Sequence, residues 1–138
     1  MRRFQLPGLS RLCILALSLS LASGCIGLFA GAGAGYLVSQ QVLPNDVHMS
    51  QVAIDVDQVW PSVQETLSFY QDPGTELLVQ EFPRVITAKV DGAKVIVEVE
   101  AHDIEQTTVR VHAEKYLGKD NATAAEVMDG IVERLGKL

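Results

Sequence analysis

From Gln51 to Leu138 the chain switches repeatedly between two hydrophobic periods, and the switches predict its elements. Val52, Ile54 and Val56 alternate with Gln51, Ala53 and Asp55. This is the two-residue period of a strand with one buried face. Val59, Trp60, Val63, Leu67 and Tyr70 then recur at helical spacing. They predict an amphipathic helix over 58–70, with Asp57 as its N-cap. Pro61 falls in the first turn on this reading, where its missing N–H matters least. Asp72-Pro73-Gly74 closes the helix in a turn.

Leu77 to Phe82 reads as a strand that meets Pro83, which cannot donate to a ladder and so marks a break, a bulge or an edge. The clearest local signal is RVITAKVDGAKVIVEVEA, in which Asp91-Gly92 forms a two-residue hairpin turn. Pairing across it sets Val90 opposite Ala93, Ala88 opposite Val95 and Ile86 opposite Val97. Lys89, Lys94, Glu98 and Glu100 fall on the other face, with Ile96 as its apolar exception. After a loop from His102 to Thr107, Val109, Val111 and Ala113 predict a further strand. Placing Val111 opposite Val99 pairs Arg110 with Glu100 and His112 with Glu98.

The last element is a helix opened by a capping box of Thr123 and Glu126. Ala124, Val127, Met128, Ile131, Leu135 and Leu138 trace its apolar face. Gly130 inside it costs about 1 kcal/mol relative to alanine. The expected fold is α+β: a two-layer β-α-β-β-β-α domain over 51–138, with an antiparallel meander sheet packed on two helices.

The pattern before Gln51 is of another kind. Arg2, Arg3 and Arg11 flank an apolar run from Leu12 to Leu21, and Ala22-Ser23-Gly24 places small side chains before Cys25. That order is a secretory signal over 1–24. It resembles the lipobox of bacterial lipoproteins, in which cleavage between the positions of Gly24 and Cys25 exposes a cysteine that carries diacylglycerol. Ala22 stands where lipoboxes most often carry leucine. Two alternatives stay open: an uncleaved signal or anchor helix, since Leu12 to Asn45 holds no charge, and ordinary cleavage without lipid. All three export the C-terminal domain, because the arginines stay cytoplasmic.

After Cys25, Gly27, Gly31 and Gly35 recur every four residues, on one face of a helix over Ile26 to Val38. Such a helix of 13 residues is about 20 Å long, too short to cross a bilayer alone. The segment reads first as a flexible small-residue spacer after the lipid; the alternative is a helix that dips into one leaflet, self-associates or contacts an envelope protein through close backbone approach at the glycines. A phosphate loop is excluded, since no Lys-Ser/Thr follows Gly35. Ser39 to Ser50, which contains Pro44-Asn45-Asp46 and His48, reads as a polar linker, so 25–50 forms the lipidated segment and linker.

Charge narrows the partners. The chain of 138 residues carries a formal −6. Loss of the three N-terminal arginines leaves eight basic against 17 acidic residues in the remaining 114, a formal −9. Nucleic acid is excluded as a partner, because its affinity comes from lysine and arginine releasing counterions. The expected partner is instead the membrane, through the diacylglyceryl cysteine. Cys13 and Cys25 are the only cysteines, which excludes a disulfide framework and a CxxC site.

No catalytic constellation emerges. His102 and His112 fall near Glu98 and Glu100 without metal-ligand spacing, and Ser50, Ser62 and Ser68 lack a glycine elbow. Trp60 reads as a core anchor, and Asn121-Ala-Thr123 as helix capping. The expectation is no enzyme, no metal and no cofactor.

Gly24-Cys25 followed by GAGAG and Tyr36, then DVDQVW, DGAKVIVEVE and TTVRVHA, resemble a family of small bacterial lipoproteins catalogued only as a domain of unknown function. The resemblance spans Cys25 to Leu135 and rests on the order of these motifs. It implies a periplasm-facing domain tethered to a membrane and no assigned activity. An Asp directly after the lipidated cysteine retains such proteins in the inner membrane; Ile26 stands there, which implies the outer membrane. The function expected is a structural or protein-interaction module of the envelope. The alternative is a carrier in which helices and sheet part around a small apolar or lipid ligand.

Overall fold

The computed structural model describes residues 36–138. The signal segment, Cys13, Gly24, Cys25 and the glycines Gly27, Gly31 and Gly35 lie outside the described residues. The elements are β1 (Leu37–Leu43), β2 (Val47–Val52), α1 (Val56–Tyr70), β3 (Leu78–Gln80), β4 (Arg84–Val90), β5 (Ala93–Asp103), β6 (Gln106–Lys115), β7 (Gly118–Lys119) and α2 (Asn121–Leu135). The described residues are α+β: one antiparallel sheet and two helices. The strands lie in the order β1-β2-β6-β5-β4-β3, with β7 beside β6.

The expected polar linker over Ser39 to Ser50 is instead a hairpin within the sheet. β1 pairs with β2 from Leu43↔Val47 to Leu37↔Val52, and β2 pairs with β6. Pro44-Asn45-Asp46 makes its turn. Asn45 and Asp46 both hold positive φ, which short polar side chains tolerate better than bulky ones. A folded unit that starts at Gln51 is therefore too short, since the hairpin supplies two strands and the edge of the sheet. The helix expected over Ile26 to Val38 does not reach its last residues, because Leu37 and Val38 belong to β1.

The strand expected over Val52 to Val56 ends at Val52. Asp55, in extended conformation, caps α1 by accepting the Asp57 N–H at 2.7 Å. With the cap two residues earlier than expected, Val56 and Asp57 are helical. Asp57 lies at the positive end of the helix dipole and pairs with Arg84 at 3.0 Å. Pro61 is then the sixth helical residue, past the first turn, and removes the N–H that would reach the Asp57 carbonyl. The apolar stripe holds: Val59, Trp60, Val63 and Leu67 are buried.

The hairpin at Asp91-Gly92 has the expected register, Val90↔Ala93, Ala88↔Val95 and Ile86↔Val97, with positive φ at both turn residues. The next register differs by two residues. Val97 and Val99 face Val111 and Val109, because β5 and β6 run to a tight turn at Ile104-Glu105 where a six-residue loop was expected. A shift of two keeps every side chain on its face. Arg110 still reaches Glu100, diagonally, at 2.9 Å. His112 lies opposite Ile96 and pairs along its own strand with Glu114 at 3.0 Å.

α2 begins at Asn121, earlier than the expected capping box. The Asp120 carboxylate accepts both the N–H and the hydroxyl of Thr123, at 3.1 and 2.9 Å. Ala124, Val127, Met128, Ile131 and Leu135 are buried as expected, whereas Leu138 lies past the helix end and is exposed. Both helices cover one face of the sheet. Trp60, Leu67, Val97, Val111 and Ile131 join one cluster there, each between 0 and 7% exposed.

Candidate functional site

Helices occupy one side of the sheet, so the side chains that alternate away from the core form its open face. The registers align them in rows across the strands. One row runs Leu43, Val47, His112, Ile96, Thr87 and Leu78, from the β1 edge to the β3 edge. The neighbouring row runs Gln41, Met49, Arg110, Glu98, Val85 and Gln80. The first row is mostly apolar and only partly covered: Leu43, Val47 and Ile96 are half-buried and Leu78 is exposed.

Two hollows lie along these rows. The smaller, about 230 Å³, has Leu43, Val47 and Ile96 as its apolar side and Glu98, Arg110 and His112 as its polar side. The larger, about 400 Å³, lies beside the turn that holds Phe82 and Pro83, between Arg84, Glu98 and Arg110. Phe82 is 86% exposed there. Arg110 pairs with Glu100, and the His112 ring hydrogen-bonds Glu114 along the strand. The hydrogen bond and positive charge of His112 hold the Glu114 carboxyl below the usual carboxylate range. An apolar band rimmed by polar and charged groups is the make-up of a contact surface for another macromolecule.

A third and larger groove, about 560 Å³, follows the seam between α1 and α2 on the side away from the sheet. Phe69, Tyr70 and the Glu65–Arg134 ion pair border it. It is the largest hollow of the three, and its Ser62 and Thr66 hydroxyls donate to the Gln58 and Ser62 carbonyls of their own helix.

The three histidines do not converge. His48 lies on the helix-facing side, buried, with Nε2 2.5 Å from the Asn121 side-chain oxygen. His112 belongs to the open face, and His102 is exposed at the bulged end of β5. Ser50, His48 and Asn121 are the closest arrangement to a hydrolytic set. The Ser50 hydroxyl, however, makes no hydrogen bond to protein groups and is shut between the layers. Among the described residues no three His, Cys, Asp or Glu side chains form a metal-binding group. No described helix is long and apolar enough to cross a membrane.

Trp60 is where periodicity placed it, in the core, and its indole N–H donates to Glu81 at 2.8 Å. The role of His48 was hidden in the sequence because the hairpin that carries it has mixed polarity. The carboxylate of Asp72, taken from sequence as a turn residue alone, accepts the N–H groups of Asp91 and Gly92 at 2.8 and 2.9 Å. It ties the end of α1 to the β4–β5 turn. The sites expected at Gly24, Cys25 and the three spaced glycines lie outside the described residues. No protein-family model, no curated protein and no solved structure matches the chain.

Proposed function

We propose that this chain is a lipid-anchored protein of the bacterial cell envelope, without catalytic activity, whose domain offers the open face of its sheet to an envelope partner. The observation that carries the reading is the half-covered apolar row from Leu43 to Leu78 on a face that neither described helix covers. The lipobox-like segment before Cys25 supplies the anchor. The likeness to small bacterial lipoproteins supports the periplasm-facing address, and Ile26 after the cysteine supports the outer membrane. A carrier needs room between the layers. The buried cluster of Trp60, Leu67, Val97, Val111 and Ile131 weighs against it.

Two measurements test the reading. The intact mass of the full chain taken from membranes is expected to begin at a diacylglyceryl Cys25; a mature form that begins at Met1 removes the lipoprotein assignment. A photo-crosslinking residue at Ile96, on the open face, is expected to give a discrete adduct in cells. The same probe at Asp129, on the exposed side of α2, is expected to give none. Equal labelling at both positions, or none at either, defeats the open-face reading.

A further inference from the structure

β1 is an outer strand of the sheet, and its exposed backbone edge has no neighbour among the described strands. Natural edge strands are usually blunted by shortness, charge, proline or a bulge. The opposite edge follows the rule: β3 has three residues and is followed by the turn containing Pro83. β1 has seven residues, Leu37–Leu43, with no charge and no proline inside. Its one irregularity, between Leu37 and Ser39, lies at one end and leaves Ser39 to Leu43 in regular pairing with β2.

The sequence of this edge reads the same way in both directions at the apolar positions: LVSQQVL. In an antiparallel pair of two such strands centred on Gln40, Leu37 falls opposite Leu43 and Val38 opposite Val42. Ser39 falls opposite Gln41, and Gln40 opposite its own copy. Val38 and Val42 lie on the helix side of the strand, so each meets the other across the pair and no charge meets another. The irregularity turns Leu37 to the core beside Val52 while Leu43 lies on the open face, so that pair adds no apolar contact. Val38 and Val42 are 51 and 58% exposed, which is the surface such a pairing would cover. Ser39 donates to the Gln51 side chain at 3.1 Å, which fixes the edge in extended form before any partner arrives. A pre-ordered edge gives up little conformational freedom on association.

We propose that β1 is a self-recognition edge: two copies of this chain pair their β1 strands antiparallel about Gln40, joining their sheets into one. The interface is isologous, the same strand on both subunits, as a two-fold dimer requires. It adds a strand to an exposed sheet edge, with main-chain hydrogen bonds for affinity and the Val38–Val42 contacts for register. It uses neither the spaced glycines nor the open face, so both subunits keep that face free.

The test uses the full chain, extracted from membranes in mild detergent, with protein mass read by sedimentation. The unaltered chain is expected at twice its monomer mass. Val38→Lys with Val42→Lys sets lysine against lysine in both flanking pairs and is expected to halve that mass. Val38→Lys with Val42→Glu sets lysine against glutamate and is expected to restore the doubled mass. Both positions are exposed, so unchanged melting curves check that the variants fold. In membranes, Gln40→Cys with a short bis-maleimide is expected to give a covalent dimer well above the background of the native cysteines. A monomeric unaltered chain overturns the proposal. So does a Lys/Lys variant that stays dimeric, which would place self-association elsewhere, including the glycine segment. A folded Lys/Glu variant that stays monomeric overturns the register, and a Gln40→Cys yield at background overturns the centre of pairing.

Discussion

The hydroxyl of Tyr36 donates a 2.7 Å hydrogen bond to the carbonyl of Val132, 96 positions away in sequence. The bond fastens the first described residue of the domain to the last turn of α2. Gly136 makes room for it, since a Cβ there would lie 2.7 Å from the same hydroxyl. Tyr36→Phe is expected to destabilise the domain by about 0.5–1.5 kcal/mol, the net worth of one hydrogen bond. The value should fall in the lower half of that range, because the Val132 carbonyl keeps the Gly136 N–H at 3.1 Å. Urea unfolding monitored by Trp60 fluorescence reads the shift. A midpoint unchanged from the parent would show that the bond has no net weight.

Gly130 poses a conflict of signs. Replacing a mid-helix glycine with alanine gains about 1 kcal/mol of helix propensity. Here a Cβ would meet the Tyr70 ring at 2.6 to 3.0 Å, and Phe69 stands edge-on to that ring at 5.6 Å. Overpacking of this kind costs about 1–3 kcal/mol. Packing therefore wins, and Gly130→Ala is expected to lower stability. In a Tyr70→Ala background the ring is gone, and the same substitution is expected to stabilise. A double-mutant cycle by chemical unfolding checks the change of sign.

The contrast between these two contacts explains what could be read from the chain. Within the Asp91-Gly92 hairpin the turn chemistry leaves one register, so every pairing from Ile86 to Val97 follows from local sequence. Between β5 and β6 the apolar alternation fixes which face each residue takes, but two registers satisfy it equally. The choice fell to the Ile104-Glu105 turn, which carries no glycine or asparagine to mark it. β1 resembles linker because an edge strand buries little and so needs no alternating pattern, and the start of β2 does so because it buries the polar His48 and Ser50 on either side of Met49. Helix starts moved by two or three residues because Asp55 and Asp57, or Asp120 and Thr123, are all good caps, and tertiary contacts decide between them. Gly130 looked like a local cost; only the packing of α1 on α2 reveals its use. The open face was legible as polar alternation with Ile96 as the exception. Its extension to Leu43 and Val47 required the hairpin that sequence did not reveal.

Asp72 joins the end of α1 to the β4–β5 turn by accepting the N–H groups of Asp91 and Gly92 and donating its own N–H to the Lys89 carbonyl at 2.7 Å. An asparagine has one acceptor oxygen at that place and turns an amide toward the second N–H. Asp72→Asn is therefore expected to cost about 1.5 kcal/mol, the lower end for a hydrogen bond to a charged group. Hydrogen exchange locates the effect: the Asp91 and Gly92 amides should lose protection while those of α2 keep theirs. Uniform loss along the chain would mean that Asp72 supports the whole fold and not this turn.

Acid should weaken the domain through three carboxylates held below their usual range. The backbone N–H and hydroxyl of Thr123 lower Asp120, His112 lowers Glu114, and Lys137 lowers Glu133. A carboxylate with a lowered folded-state value binds fewer protons folded than unfolded. Its contribution to stability is therefore complete above the ordinary carboxylate range and is lost as pH falls through the lowered value. Thermal midpoints are expected to drop as pH falls below that range. Asp120→Asn tests one member of the set, because asparagine keeps a capping oxygen for α2 and removes the titration. The variant should melt near the parent in strong acid, where the parent's Asp120 is itself protonated. Its acid slope should be shallower, by less than one proton released per molecule on folding. An unchanged slope in Asp120→Asn would remove Asp120 from the acid response and leave it to Glu114 and Glu133, which Glu114→Gln and Glu133→Gln then separate.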